Sequence, residues 1–154
     1  MTFIKGLAQA LGDDTSGGGD LHVQGLAYRN AAGGNVFLEA LPQTPDVAVA
    51  LKSFGGSEAD SGLPYDAPVI QLLIRGDQDP NTAGELWYDI YDKLHGAVQE
   101  TLPDGTLLVA AIVVQSSPVN IGPDGNGRIR FSMNVRCEIV NATANRSAPL
   151  QTPS

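Results

Sequence analysis

Residues 128–140, RIRFSMNVRCEIV, alternate apolar and polar side chains with a period of two. Phe131, Met133, Val135, Cys137 and Ile139 point one way, and Arg130, Ser132, Asn134, Arg136 and Glu138 the other. Such a run rests stably only as a β-strand with one buried face, because a one-residue slip would turn every apolar side chain out to water. The chain must therefore build a sheet and cover at least one side of it. The apolar segment at 107–114 is joined to this strand by SSPVNIGPDGNG, which is too short for a helical crossover. The two segments are expected to pair antiparallel, with 107–114 as a central strand buried on both faces.

The covering layer is also visible in the pattern. Ala83, Leu86, Trp87, Ile90, Tyr91, Leu94 and Val98 recur at three- and four-residue steps and predict a helix over 81–99. Asp79 before Pro80 fits an N-cap followed by proline in the first turn. Glu85, Asp89, Asp92 and Lys93 fall on the outer side of that helix. A shorter helix over 2–11 carries Phe3, Ile4, Leu7 and Leu11 on one face. Further strands are predicted weakly over 21–28, and over 36–41, 47–54 and 69–75, with Gly55 and Gly56 breaking the third. This order predicts an α+β fold, a mixed or antiparallel sheet with two helices packed on one face. The 154 residues fit a single domain over 1–140, with a flexible glycine-rich loop at 13–20, an extended arm at 55–68 and a polar tail at 141–154.

Charge narrows the function. The net charge is −8 and the pI about 4.4, the wrong sign for a nucleic-acid footprint. The charge is also uneven. From 39 to 104 there are twelve acids against Lys52, Arg75 and Lys93, whereas from 125 onward Arg128, Arg130, Arg136 and Arg146 face only Glu138. An acidic middle and a basic end suit head-to-tail contact between copies. No apolar run approaches ~18 residues, so no membrane-spanning helix is expected. The first residues, MTFIKGLAQALG, are too short and too weakly apolar for a signal peptide.

Reactive groups are sparse. The one cysteine, Cys137, excludes an internal disulfide and falls on the apolar face of its strand, where it reads as a small buried hydrophobe. His22 and His95 stand apart from any metal-ligand spacing. Asp124 opens a segment resembling the start of a calcium loop, but the twelfth position is Val135, so the segment reads as a turn. Glu58, Asp60, Asp66, Asp77 and Asp79 include no spacing that selects an acid–base pair. No catalytic or metal-ligating set and no cofactor are expected. Trp87 and Tyr91 read as core, and Tyr65, in an acidic proline-bounded arm, fits either an interface anchor or local packing.

Several motifs recur in a telling order. A strand at 36–42 is stopped by proline and followed by Pro45 and Asp46. FGG at 54–56 leads through the acidic arm to LPYDAPVIQLLIRG at 63–76. IYDKLHG lies at 90–96, and SPVNIGPDGNGR at 117–128 precedes Phe131, Asn134 and Arg136. In this order, over about residues 35–140, the chain resembles the bacteriophage minor capsid / tail terminator family of long-tailed phages.

The resemblance implies a small fold in which a sheet carries two helices, with no catalytic residues. It implies a structural virion protein, a tail terminator forming a homo-hexamer ring that caps the tail tube and joins it to the head–tail connector or stopper protein. Its partners would be other copies of itself, the tail-tube protein and the connector. DNA would pass through the lumen without specific binding, for which an acidic chain is suited, and no membrane is involved. The location implied is the tail–neck junction of the virion, reached after assembly in the host bacterial cytoplasm. The candidate assembly residues are Gly55, Gly56, Glu58, Asp60, Pro64, Tyr65 and Asp66 in the arm, then Arg75, Asn120, Asp124, Arg128, Arg130 and Arg136. Two other readings remain open. One is a neck or head-completion (minor capsid) protein on the portal side. The other is a small hydrolytic or metal-dependent enzyme using loop carboxylates such as Asp66 and Asp124.

Overall fold

The alternating run becomes the axis of the fold. A computed structural model describes residues 3–12, 21–28, 34–56 and 64–141. Its elements are α1 (Phe3–Gly12), β1 (Val36–Leu38), β2 (Ala48–Gly56), β3 (Tyr65–Asp66), β4 (Pro68–Arg75), α2 (Pro80–Leu94), β5 (Val98–Thr101), β6 (Leu107–Val113), β7 (Val119–Asn120) and β8 (Arg130–Val140). The main path of the sheet is β1-β2-β4-β8-β6-β5. The short strands β3 and β7 pair with β8 beyond the ends of β4 and β6, so the long strand is flanked along its whole length. Only the edge pair β1–β2 is parallel. The fold is therefore α+β with a mixed sheet and two helices packed on one face, and 107–114 pairs antiparallel with 128–140 as expected.

Register explains the core. Leu72 lies opposite Met133, Ile70 opposite Val135 and Ile74 opposite Phe131, while Cys137 faces Ala111 across the other flank. These side chains meet Leu7 and Leu11 of α1 and Trp87, Ile90 and Leu94 of α2 in one cluster. Each fully buried leucine or isoleucine contributes about 1.5–3 kcal/mol over its exposed state. Trp87 is fully buried, and its indole Nε1 donates to the Ser132 carbonyl at 2.9 Å. After Val113 the chain leaves the side of β8. The Gln115 side chain then accepts the Asn134 N–H at 3.0 Å, so a side chain replaces the departed strand in the ladder.

Five expected elements differ from the structure. The helix predicted to 99 stops at Leu94, because Gly96 takes φ +81° and Gln99 φ +56°, and the chain re-enters the sheet as edge strand β5. Val98, which fits the helical period, is 58% exposed. Residues 21–28 form only an isolated bridge from Tyr28 to Val36, yet Leu21, Val23, Leu26 and Tyr28 are all buried as an irregular core segment. The strand expected over 36–41 ends at Leu38, before Glu39 at φ +70°. Segment 107–114 is not the central strand. As β6 it lies between β8 and β5 and buries Leu108, Ala111 and Val113, leaving Ala110 and Ile112 half-exposed. The strand expected over 47–54 takes in Gly55 and Gly56 as its last residues, with a shifted register after Ser53. The 13–20 loop and the tail after Asn141 lie outside the described residues.

Candidate assembly surfaces

One end of the sheet is a charged corner. Arg75 ends β4 opposite Arg130 at the start of β8. The Arg75 guanidinium donates from Nε to the Asp46 carbonyl at 2.9 Å and from an Nη to the Pro45 carbonyl at 2.6 Å. Arg128 donates from Nε to Asp124 Oδ2 at 2.7 Å, and from one Nη to the Gln43 carbonyl at 2.5 Å and to Asp46 Oδ1 at 3.2 Å. Both arginines are about 95% buried, at 4% and 5% exposure. Burial, and next the neighbouring Arg128 charge, lower the Arg75 pKa below its ordinary value. At Asp124 burial works to raise the carboxyl. Hydrogen bonds from the Arg128 and Asn126 backbone and the Arg128 guanidinium prevail and hold it below the usual carboxylate range. Arg75, Arg128 and Asp124 thus fasten the 43–46 connector to the sheet, and their polar atoms face inward.

A cleft of about 430 Å³ opens beside this corner, lined by Asp46, Asp77, Gln78, Asp79, Asn126 and Arg128. Its carboxylates serve the local backbone. Asp77 accepts the Asp79 N–H at 2.8 Å, and Asp79 accepts the Asn81 N–H at 3.0 Å as the N-cap of α2. Among the described residues no group of three or more His, Cys, Asp or Glu side chains is placed to hold a metal ion. Burial pushes the Cys137 thiol up to about 12, so it stays protonated and is no nucleophile at neutral pH. The His95 ring stacks on Tyr91 at 5.2 Å, and its Nδ1 accepts the Val113 N–H at 3.2 Å. Its ring therefore serves β6 and not the last carbonyls of the helix.

The 118–128 turn is internally fastened. Asn120 Oδ1 accepts the Gly122 N–H at 2.7 Å, and Arg130 donates to the Gly122 and Pro123 carbonyls at 3.1 and 3.2 Å. Arg130 remains half-exposed beside Val119 and Ile121, which are about two-fifths exposed.

The arm is described only at its two ends. At Gly56 (φ +152°) an added Cβ would sit 2.5 Å from the Ala67 carbonyl oxygen and 2.7 Å from Pro68 Cα, so only glycine fits. On the return, Tyr65 lies opposite Val140 and Asp66 opposite Ile139, and the Pro64 carbonyl accepts the Asn141 N–H at 2.8 Å. Pro64, Tyr65 and Asp66 therefore knit the arm into the end of β8. Glu58 and Asp60 lie outside the described residues.

Two broader surfaces were not singled out by the sequence. The face of the sheet away from the helices is uncovered around Arg136, although Ala48, Ala50, Arg75 and Ser132 toward one end of it are buried. Across it Arg136 sits between Val69 and Ile112, and two rows along Ser132 sits between Leu73 and Val119. Arg136 is exposed, as are Phe54 (54%) and Val114 (53%) at its margins. On the far side of the molecule α2 presents Asn81, Glu85, Tyr88, Asp89 and Asp92 along one exposed stripe. The outward acids were legible from the helical period, while the groove beside them was signalled only by Gly84 inside an apolar-periodic helix.

Residues 10–141 match the sequence profile of a family described as "Bacteriophage tail terminator protein". A chain of the solved structure titled "Virion of native gene transfer agent (GTA) particle" is similar at 17% identity. The alignment covers 68% of this chain and 78% of that one, with a TM-score of 0.47. No curated protein matches the chain.

Proposed function

The chain belongs to the bacteriophage tail terminator family, and from that membership we propose that it is a structural virion protein, not an enzyme, that caps the tail tube as a homo-hexameric ring. The ring then meets the head–tail connector at the tail–neck junction, after assembly in the host bacterial cytoplasm. Family membership is the observation that carries this reading. The distribution of charge and surface supports it. The chain is acidic overall, with a net charge of −8, so a lumen lined by it would repel the phosphate backbone of passing DNA. Its outer sheet face mixes apolar side chains (Val69, Leu73, Ile112) with exposed Arg136 and half-exposed Glu138, Asn134 and Gln71, which suits contact with another protein.

Within this reading the candidate contact residues divide in two. Arg75, Asp124 and Arg128 keep the corner in shape, Asn120 and Arg130 fasten the 118–128 turn, and Gly56, Pro64, Tyr65 and Asp66 hold the ends of the arm on the sheet, while Arg136 and the arm residues Gly55, Glu58 and Asp60 are proposed for contact between copies. The test is co-purification of the tagged chain from infected cells. Recovery with the tail-tube protein is expected. Recovery with the connector and without the tube would replace the terminator with a neck or head-completion protein.

A further inference from the structure

The outer sheet face sets an exposed, unpaired Arg136 among apolar and polar side chains. Arg136 projects from the middle of β8, flanked by Val69 on β4 and Ile112 on β6. It forms no ion pair within the described residues. Glu138 shares this face two residues along β8 and is half-exposed, but it forms no ion pair with Arg136 among the described residues, so a partner that buries Arg136 must bring a carboxylate of its own.

The α2 stripe carries such carboxylates. Glu85 and Asp89 are exposed and form no ion pair among the described residues. Between them Tyr88 is 48% exposed, and the three line a groove of about 440 Å³ together with Gly84. Glycine weakens a helix interior relative to alanine. A Cβ at Gly84 would meet only a Phe131 ring carbon at 3.9 Å, an ordinary contact, so packing inside the subunit does not demand glycine. What glycine supplies there is the depth of the groove.

The geometry points to a head-to-tail contact between copies of this chain, in which Arg136 of one copy enters the α2 groove of the next, against Glu85, Asp89 and Tyr88. The inference rests on the self-association proposed above and names the surfaces that achieve it. A guanidinium can bind a carboxylate through two N–H groups while stacking on an aromatic face, which a lysine cannot do. Two α2 stripes would repel each other, as would two Arg136 faces. The stripe and the outer sheet face lie on opposite sides of the subunit, because α2 covers the sheet face that Arg136 does not share. The contact is therefore heterologous, and copies joined by it must close into a ring or keep growing.

Sedimentation of the full chain provides the test, using variants whose folding is checked by thermal melting. Wild type is expected to sediment as a closed ring. Arg136→Glu alone and Glu85→Lys with Asp89→Lys alone are each expected to be monomeric. Mixed one to one, they are expected to re-form rings, since each then offers the other an opposite charge on both faces. Gly84→Ala is expected to raise the melting temperature by about 2–4 °C while weakening assembly at least tenfold. Intact rings from Arg136→Glu would overturn this contact and leave the ring standing. Rescue of Arg136→Glu by Glu58→Lys with Asp60→Lys, and not by the α2 variant, would move the anion to the arm and overturn it too. A wild-type chain that stays monomeric at every concentration would overturn the self-association beneath it.

Discussion

Arg128 joins its own turn to a connector far away in sequence. It grips Asp124 four residues back, and Gln43 and Asp46 more than eighty residues back. Removing its side chain leaves the Gln43 carbonyl and both carboxylates without their charged donor. Arg128→Ala should lower unfolding stability by about 2–3 kcal/mol, read as a shift in urea midpoint at unchanged slope. Cys137 makes a prediction with a definite sign. Its thiol is raised from 9.0 to about 12 by burial, so the unfolded chain loses that proton first as pH rises. Its contribution is intact below about pH 9 and declines between about 9 and 12, and Cys137→Ala should remove that part of the alkaline slope. Cys137 was legible because alternation alone places it inward. Arg75 and Arg128 were not, because both read as exposed contact residues until the 43–46 connector folds back over them. A partner so distant in sequence leaves no local pattern.

At the scale of elements, α2 shows what a pattern can and cannot tell. Its start is written in local chemistry, since Asp79 accepts the Asn81 N–H and Pro80 needs no donor of its own. Asp79→Ala should cost about 1 kcal/mol, seen as a drop of about 2–4 °C in melting temperature. Its end was misread because Val98 keeps the helical period by coincidence. Gly96 turns the chain five residues after Tyr91, and Val98 faces water on an edge strand. Strand β8 was legible nearly to its ends, since one strongly alternating face must be buried. Strands β3, β5 and β7 were not, being two to four residues long and made by the register of β8 and β6 rather than by their own composition. Segment 107–114 looked central because it is apolar throughout. Its half-exposed residues instead belong to the outer face, where apolar side chains serve a surface and not a core.

The described residues form two layers with unlike outer sides, acidic along α2 and mixed apolar and polar around Arg136 on the sheet. This asymmetry suits a subunit that repeats head to tail, and it gives physical content to the split charge visible in the sequence. The fold class followed from one alternating strand and two amphipathic helices. The surfaces did not, because which strand residues lie side by side depends on register. The ring proposed for this chain lies at the head-proximal end of the tail tube. Electron microscopy of particles carrying a labelled copy of the chain tests this most directly. The account predicts label in a single ring between tube and connector. Label inside the capsid shell, or only at the distal tail tip, would contradict it.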